Sequence, residues 1–442
     1  MLTFDITLNS LRYIDDEEMR WGTLTQLNGT TGMPSMTLYC VPVAAAQHSQ
    51  DGFGQVQSTA IGAAGLACAV FRFLKRPPKC KHPSIFCLCV LRVFCLYFQV
   101  DCVNLEILVD TVNHQKRRST MPTVLITGGH SGLGLEAAKQ LAAGPKLNLV
   151  LAGRSLDKME TSAKLIRSQY RVKVATLKLD LSSLASVRAA AENCRTMLKN
   201  GQIDSLQAII CNAGAMFPGP ISYSIDGFEE TFAGNYLGHF LLVNLLLDAL
   251  PTSGRIVFTA SGTHDPETMD GKMAGGAVEP DAQALALDGK NGVKPISGGK
   301  RYATSKLCVI LFAYELDRRL RHSQSSLASI AFDPGQIPET GLGRTYPAVV
   351  RWLSTTWVVK RILRMLGVTA GSVGFSGAGL ARMAMDPAFA ERSGKYFQSN
   401  DGTISETRSS KMSYDKDRAK KLWTDSAQLV HLQASETPAL LQ

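Results

Sequence analysis

Thr123-Val-Leu-Ile-Thr-Gly-Gly-His-Ser-Gly-Leu-Gly-Leu-Glu-Ala-Ala-Lys-Gln-Leu141 is the stretch on which the reading of the chain turns. Val124, Leu125 and Ile126 make a short apolar run of β type, the glycines Gly128, Gly129, Gly132 and Gly134 come next, and a helix-forming segment comes after them. The order predicts a strand, a tight turn and a helix start. Glycines at such a turn let the backbone approach a pyrophosphate closely, and the unpaired N–H groups of the helix's first turn favour its negative charge. The ligand implied is a dinucleotide. The same glycines also suit an ordinary strand-to-helix loop, so the weight of the motif depends on the residues further along the chain.

The 442 residues are enough for two or three average domains, although one α/β domain can take up most of that length. Lys and Arg number 47 against 37 Asp and Glu, and the formal charge of +10 permits anionic partners such as cofactor phosphates, anionic lipid or nucleic acid. No aromatic-interleaved basic array and no zinc-type spacing supports nucleic acid or a metal, and neither is expected. Seven of the ten cysteines, Cys40, Cys68, Cys80, Cys87, Cys89, Cys95 and Cys102, precede the glycine turn. Cys194, Cys211 and Cys308 are scattered among apolar neighbours, which suits buried free thiols in a reducing compartment.

Residues 1–120 differ in texture from the rest and lack clear periodicity. They read as a poorly ordered extension or a start-site artefact, since Met121 sits immediately before the first strand, and the acidic run Asp15-Asp16-Glu17-Glu18 argues against a secretory signal or transit peptide. Ile85 to Val100 is apolar and comes after Lys75, Arg76, Lys79 and Lys81, the arrangement of a membrane anchor. It is shorter than the roughly 20 residues a spanning helix needs, and Arg92 at its middle costs about 2.5 to 3.5 kcal/mol. Asn28-Gly29-Thr30 fits a glycosylation acceptor but lacks a secretory context.

From Met121 to the end, strand-like and helix-like segments alternate, which predicts a Rossmann-type doubly wound parallel sheet with helices on both faces. The second strand, Leu147 to Ala152, ends in Gly153-Arg154-Ser155. A carboxylate there would suit the free ribose hydroxyl of NAD, whereas Arg154 suits a 2′-phosphate and points to NADP(H). A third strand, Val172 to Leu179, delivers Asp180-Leu181, with Ser182 or Ser183 as N-cap of the next helix. Leu206 to Cys211 leads into Asn212-Ala213-Gly214, small residues where backbone passes close to something. A long helix carries Asn235 and His239, the histidine reading as a packed side chain rather than a ligand. The strand Arg255 to Thr259 precedes Ala260-Ser261-Gly262, and Thr263 to Lys300 reads as a long surface excursion.

Tyr302-Ala303-Thr304-Ser305-Lys306 opens an amphipathic helix, and its i,i+4 spacing puts phenol and ammonium on one face. A neighbouring cation favours phenolate, which would bring a phenol from about 10 toward working pH and make Tyr302 an acid or base. Glycine turn, Asn-Ala-Gly, helical Asn, Ser after a strand, then Tyr-x-x-x-Lys: in this order, over about Met121 to Leu432, the chain resembles the short-chain dehydrogenase/reductase family. The resemblance implies that Thr127, Gly128, His130, Ser131, Gly132, Leu133 and Gly134 form the cofactor loop. By the same likeness Asp180 and Leu181 meet the adenine, and Asn212, Ala213 and Gly214 support sheet and cofactor. Ser261 would hydrogen-bond the substrate oxygen, Tyr302 would exchange the proton, and Lys306 would bind the nicotinamide ribose and lower the tyrosine's pKa. Asn235 would hold a relay water, and Pro334, Gly335, Ile337 and Thr340 would close over the nicotinamide.

Two features depart from the family pattern: Cys211 stands where many members carry a second asparagine, and the excursion between Ser261 and Tyr302 is unusually long. That excursion, with Ser393-Gly394-Lys395-Tyr396-Phe397, resembles the retinol-dehydrogenase and light-dependent protochlorophyllide-reductase branches. Both imply an apolar small-molecule substrate. The expected reaction is NADP(H)-dependent hydride transfer at an alcohol or carbonyl carbon, with ring C=C reduction as the alternative and a non-catalytic NADP-binding scaffold as a third reading. In Tyr346 to Leu366, Val349, Trp352, Val359, Leu363 and Leu366 fall within roughly a 100° stripe. This stripe reads as a substrate lid, a peripheral membrane helix through 346–366, or a helix docked on its own core. The location expected is cytoplasmic, or plastid if the protochlorophyllide-reductase likeness governs.

Overall fold

Alternate residues of the buried strands serve opposite faces of one sheet, and the two sets of helices divide accordingly. Leu125, Val150, Ala152, Ile209 and Cys211 join one core, whereas Val124, Ile126, Leu149, Leu151, Ala208 and Ile210 join the other. In the computed structural model the described residues are 121–337 and 365–441 apart from 145 and 401, positions 356, 359, 361 and 362, and three short N-terminal strands. Two units are separated, Met1–Lys116 and Arg117–Gln442. In the first, Thr3–Asp5, Gly22–Gln26 and Ser35–Tyr39 form an antiparallel sheet with Ser35–Tyr39 at its centre. The expected poor order of 1–120, the Ile85 to Val100 run and Asn28 otherwise lie outside the described residues. Among the described residues no helix is long and apolar enough to cross a membrane.

The second unit carries the doubly wound sheet. Its strands are β1 (Pro122–Thr127), β2 (Asn148–Gly153), β3 (Val174–Lys178), β4 (Ser205–Cys211), β5 (Arg255–Thr259), β6 (Ala328–Asp333), β7 (Lys395–Asn400) and β8 (Thr403–Glu406). Their spatial order is β8-β7-β6-β5-β4-β1-β2-β3, parallel except for the β7/β8 pair. The order reverses between β1 and β4, and ligands of such sheets bind beyond the strand ends at that crevice. One face holds α1 (Gly132–Ala143), α2 (Leu156–Gln169) and, later in the chain, α8 (Val373–Met385). The other holds α3 (Leu184–Lys199), capped by Ser183, and α4, which runs from Glu230–Phe232 through a π-helical stretch Ala233–Leu237 into Gly238–Leu246. It also holds α7 (Gly298–His322) and α9 (Lys416–Leu429).

Two expectations need correction. The Thr263 to Lys300 excursion is not a bare surface loop: it contains α5 (Met269–Ala274) and α6 (Ala282–Ala286) and buries His264, Ala282 and Leu285. Nor is α7 amphipathic over its first half, since every residue from Arg301 to Leu316 is buried. It passes under α9 and the aromatic cluster of Phe240, Phe312 and Trp423, and only beyond Leu316 does it turn a charged face outward. Cys194, Cys211 and Cys308 are buried free thiols, as their apolar neighbours implied. Of the 346–366 stripe most residues lie outside the described set; Leu366 is 52% exposed.

The backbone N–H of Met121 donates to Asp204 Oδ2 at 3.2 Å, which ties the entry to β1 onto β4. A chain beginning at Met121 is therefore expected to melt cooperatively near the full-length temperature by circular dichroism. Failure of that chain to fold would place part of residues 1–120 in the core.

Candidate active site

The β1 to α1 turn is built on glycines in the left-handed region and one threonine. Gly128 and Gly132 have φ of +68° and +52°, a region that favours glycine. Thr127 Oγ1 accepts the backbone N–H groups of Asn212 and Ala213, both at 2.9 Å, and Asn212 Nδ2 donates to Thr127 O at 2.9 Å. Asn212 thus pins the loop, and a Cβ on Gly134 would stand 2.5 Å from its Nδ2. Helix α1 starts at Ser131 without a side-chain cap, so its first-turn N–H groups are offered to an anion, with His130 and Leu133 on either side.

Four residues from three elements converge at the strand ends beside this loop. Asn235, in the π-helical part of α4, accepts the N–H of Ala215 at 2.8 Å and donates to Ala215 O and Ser305 Oγ, both at 3.0 Å. Ser305 in turn donates to Tyr302 O at 2.7 Å. Lys306 Nζ donates to Thr259 O at 2.8 Å and lies 5.8 Å from the Tyr302 ring centre. Ser261 Oγ, just past β5, accepts from Thr263 Oγ1 at 3.0 Å and favours the ionised form of the Tyr302 phenol. His239, one turn beyond Asn235, is a packed side chain. Its Nδ1 lies 3.1 Å from Asn235 O and its Nε2 2.9 Å from Thr127 Oγ1, and burial holds its pKa down to about 4. A neutral ring donating from Nδ1 and accepting at Nε2 satisfies both neighbours and joins the glycine turn to α4.

The electrostatics differ from the expectation that Lys306 lowers the tyrosine. Burial pushes the Tyr302 phenol up to about 12, with Ser261 pulling the other way, and burial pulls Lys306 down to about 8 against the attraction of Asp333. Both groups are nearly inaccessible, and the ammonium is bonded to a carbonyl rather than to the phenol, so desolvation decides both shifts. The protein alone therefore holds Tyr302 as a proton-bearing acid.

The residues present fit a dinucleotide. Gly214 is exposed, and a Cβ on it would stand 3.3 Å from Asn235 Oδ1 and 3.4 Å from Lys306 Nζ, so glycine keeps the space before the ammonium open. Arg154 is exposed at the end of β2, where its carbonyl accepts Lys178 Nζ. Asp180 Oδ1 accepts the N–H of Ser182 at 3.1 Å, and the Leu181 carbonyl is pressed on α4, where a Cβ on Gly238 would come within 2.2 Å. Pro334, Gly335 and Ile337 come after β6, Gly335 at φ +73°, while Thr340 lies outside the described residues. Sequence reasoning gave no role to Lys178, which donates to the Arg154 carbonyl, nor to Asp333, whose charge opposes the fall in the Lys306 pKa. The first had the signal of a second cation at a strand end, and the second was visible only as part of the Asp-Pro-Gly turn.

A family model described as short chain dehydrogenase matches residues 122–269. Protochlorophyllide reductase A, chloroplastic, of Oryza sativa subsp. japonica is 35% identical over 337 residues, covering 72% of this chain and 82% of the relative. The chain belongs to the short-chain dehydrogenase/reductase family. Chloroplastic protochlorophyllide reductase of Daucus carota is 34% identical over 329 residues, 70% of this chain and 78% of its own. The crystal structure of an uncharacterised protein from Mycobacterium paratuberculosis, 27% identical, superposes with a TM-score of 0.52 over 71% of this chain and 94% of that one. This family member is an oxidoreductase and falls in the protochlorophyllide-reductase-like branch.

Proposed function

We propose that the chain catalyses hydride transfer between NADP(H) and an alcohol or carbonyl carbon of an apolar substrate, with Tyr302 as proton donor and acceptor. The observation that carries this reading is the convergence of Ser261, Tyr302, Lys306 and Asn235 on one opening beside the glycine turn. Bound NADPH supplies a hydride to the electrophilic carbon. Ser261 and Tyr302 hold the substrate oxygen, and the phenol gives it a proton as negative charge develops there. A phenol pushed up to about 12 keeps its proton at neutral pH, which suits the reductive direction. Lys306 lies behind the phenol, where its positive charge stabilises the tyrosinate left after transfer. Asn235 ties α4 to α7 and the Ala215 backbone, so the geometry is fixed by hydrogen bonds before substrate arrives.

The names of the relatives favour a second reading, reduction of a ring C=C bond in a tetrapyrrole, and with it a plastid location. NADPH oxidation with apolar ketones, aldehydes and retinal-like compounds, and with protochlorophyllide in darkness and in light, separates the two. Turnover of carbonyls supports the first, and light-dependent loss of protochlorophyllide alone supports the second. Absence of both with NADPH bound would leave the scaffold reading.

Arg154 sets cofactor choice in this proposal, because a guanidinium can take a phosphate in a bidentate, charge-assisted contact. NADPH is expected to bind more tightly than NADH, and Arg154→Ala to remove most of that preference, with Lys178 retaining a part of it. Equal affinities for the two cofactors in the unmutated protein, measured by fluorescence titration, rule the assignment out.

A further inference from the structure

The turn after Ser261 buries an imidazole beside the proposed site. His264 is 2% exposed and ends the short helical turn Gly262–His264. Its Nδ1 lies 2.7 Å from Ser261 O, and its Nε2 accepts the backbone N–H of Ser410 at 3.0 Å. These partners decide where the ring's proton is. An N–H aimed at Nε2 needs a lone pair there, and a carbonyl facing Nδ1 needs a proton there, so the ring is neutral and protonated on Nδ1. Burial favours the same neutral ring against the pull of the Ser261 carbonyl, Asp333 and Asp265. The ring also packs on Tyr396, with 5.2 Å between ring centres.

The N–H that selects this tautomer is itself held in place by a group of buried hydroxyls. Ser413 Oγ donates to Ser410 O at 2.6 Å and lies 2.6 Å from Ser409 Oγ. Ser409 Oγ in turn lies 2.8 Å from Tyr314 Oη, on the same helix α7 that carries Tyr302. Ser409, Ser410 and Ser413 are all buried. The position of the Ser410 N–H is therefore fixed from α7, and through the imidazole it governs what the Ser261 carbonyl receives. The His264 backbone N–H also reaches that carbonyl, at 3.1 Å, but this bond only closes the turn on itself.

We propose that His264 is a positioning residue for Ser261: its Nδ1–H holds the serine carbonyl and so fixes where Ser261 Oγ stands, while the Ser410 N–H keeps the ring in the tautomer that can donate there. This rests on the reading that Ser261 and Tyr302 hold the substrate oxygen between them. A displacement of about 1 Å in a group that orients substrate can cost about 10²-fold in rate, so the carbonyl's hold on the turn bears on turnover. Cofactor binding does not pass through this bond.

Two substitutions in the full chain separate the ring's two bonds. His264→Asn places an amide N–H where Nδ1 stands and loses the acceptor for Ser410, whereas His264→Gln places an amide oxygen where Nε2 stands and loses the donor to Ser261. An unpaired buried N–H is costly, so His264→Asn should unfold at lower urea than His264→Gln. Turnover should run in the opposite order. With NADPH and an apolar ketone or aldehyde, kcat should fall by about 10- to 100-fold in His264→Gln and stay near the parental value in His264→Asn, with NADPH affinity unchanged in both. Near-parental kcat in His264→Gln, or activities that follow the order of stability, overturn the inference. Should neither variant fold, a long-range ¹H–¹⁵N spectrum of the labelled parent reads the tautomer directly: a proton on Nδ1 alone supports the inference, and a proton on Nε2 overturns it. Absence of carbonyl turnover in the parent overturns the proposed function instead, and this inference with it.

Discussion

Tyr302→Phe is expected to lower turnover by at least about 10²-fold while leaving NADPH affinity unchanged, since general acids contribute about 10² to 10⁴-fold. The ring is 6% exposed and packed into α7, so phenylalanine keeps its contacts and removes only the hydroxyl. Lys306→Ala should behave differently and weaken cofactor binding together with turnover, because the lost ammonium stands beside the opening that Gly214 leaves. The measurement is steady-state rate and NADPH affinity of both variants with a substrate found in the panel. A Tyr302→Phe enzyme with near-parental turnover would falsify the assignment. The proton donor would then be a water at Ser261 rather than Cys211, whose thiol is buried in the core and pushed up by desolvation.

The features legible in the sequence are those that depend on neighbours along the chain. Gly128 and Gly132 at the end of an apolar run fixed the β1 turn, and the i,i+4 spacing of Tyr302 and Lys306 fixed their shared helix face. The Ser183 cap and the strand Arg255 to Thr259 were legible for the same local reason. The features that escaped depend on contacts remote in sequence. The burial of α7 comes from Trp423 and its neighbours more than a hundred residues later, and Asp333 takes its partners from Tyr396 and Gln398 on β7. The direction in which Tyr302 is shifted is hidden for that reason. Spacing announces a nearby cation, but the desolvation that raises the phenol is a property of the assembled core.

The largest loss of stability is expected from Arg301→Met, one residue before the proposed proton donor. Arg301 and Glu229 form an ion pair at 3.1 Å with side chains 4% and 2% exposed. Arg301 also donates to Ile296 O at 2.7 Å and Phe217 O at 3.1 Å, fastening the loop after β4 to the start of α7. Glu229 accepts Phe232 N–H at 2.7 Å and so caps α4. Removing one partner of a buried pair typically costs about 3 to 5 kcal/mol, because the other charge is left uncompensated. Arg301→Met/Glu229→Gln keeps the cap and removes that charge, so the double variant should be more stable than Arg301→Met alone. The pH dependence has a definite sign. Burial already raises Glu229 above its ordinary 4.5, and loss of Arg301 raises it further. A carboxyl whose folded pKa is raised contributes stability below its unfolded value and loses that contribution as pH rises through the folded one. The deficit of Arg301→Met relative to the parent should therefore grow as pH rises above the ordinary 4.5 of Glu229, whereas the double variant should show no such growth. Urea unfolding of the three proteins at several pH values measures both effects. A deficit independent of pH would mean that Glu229 is not left charged, and the destabilisation would then come from the unfastened loop carbonyls alone.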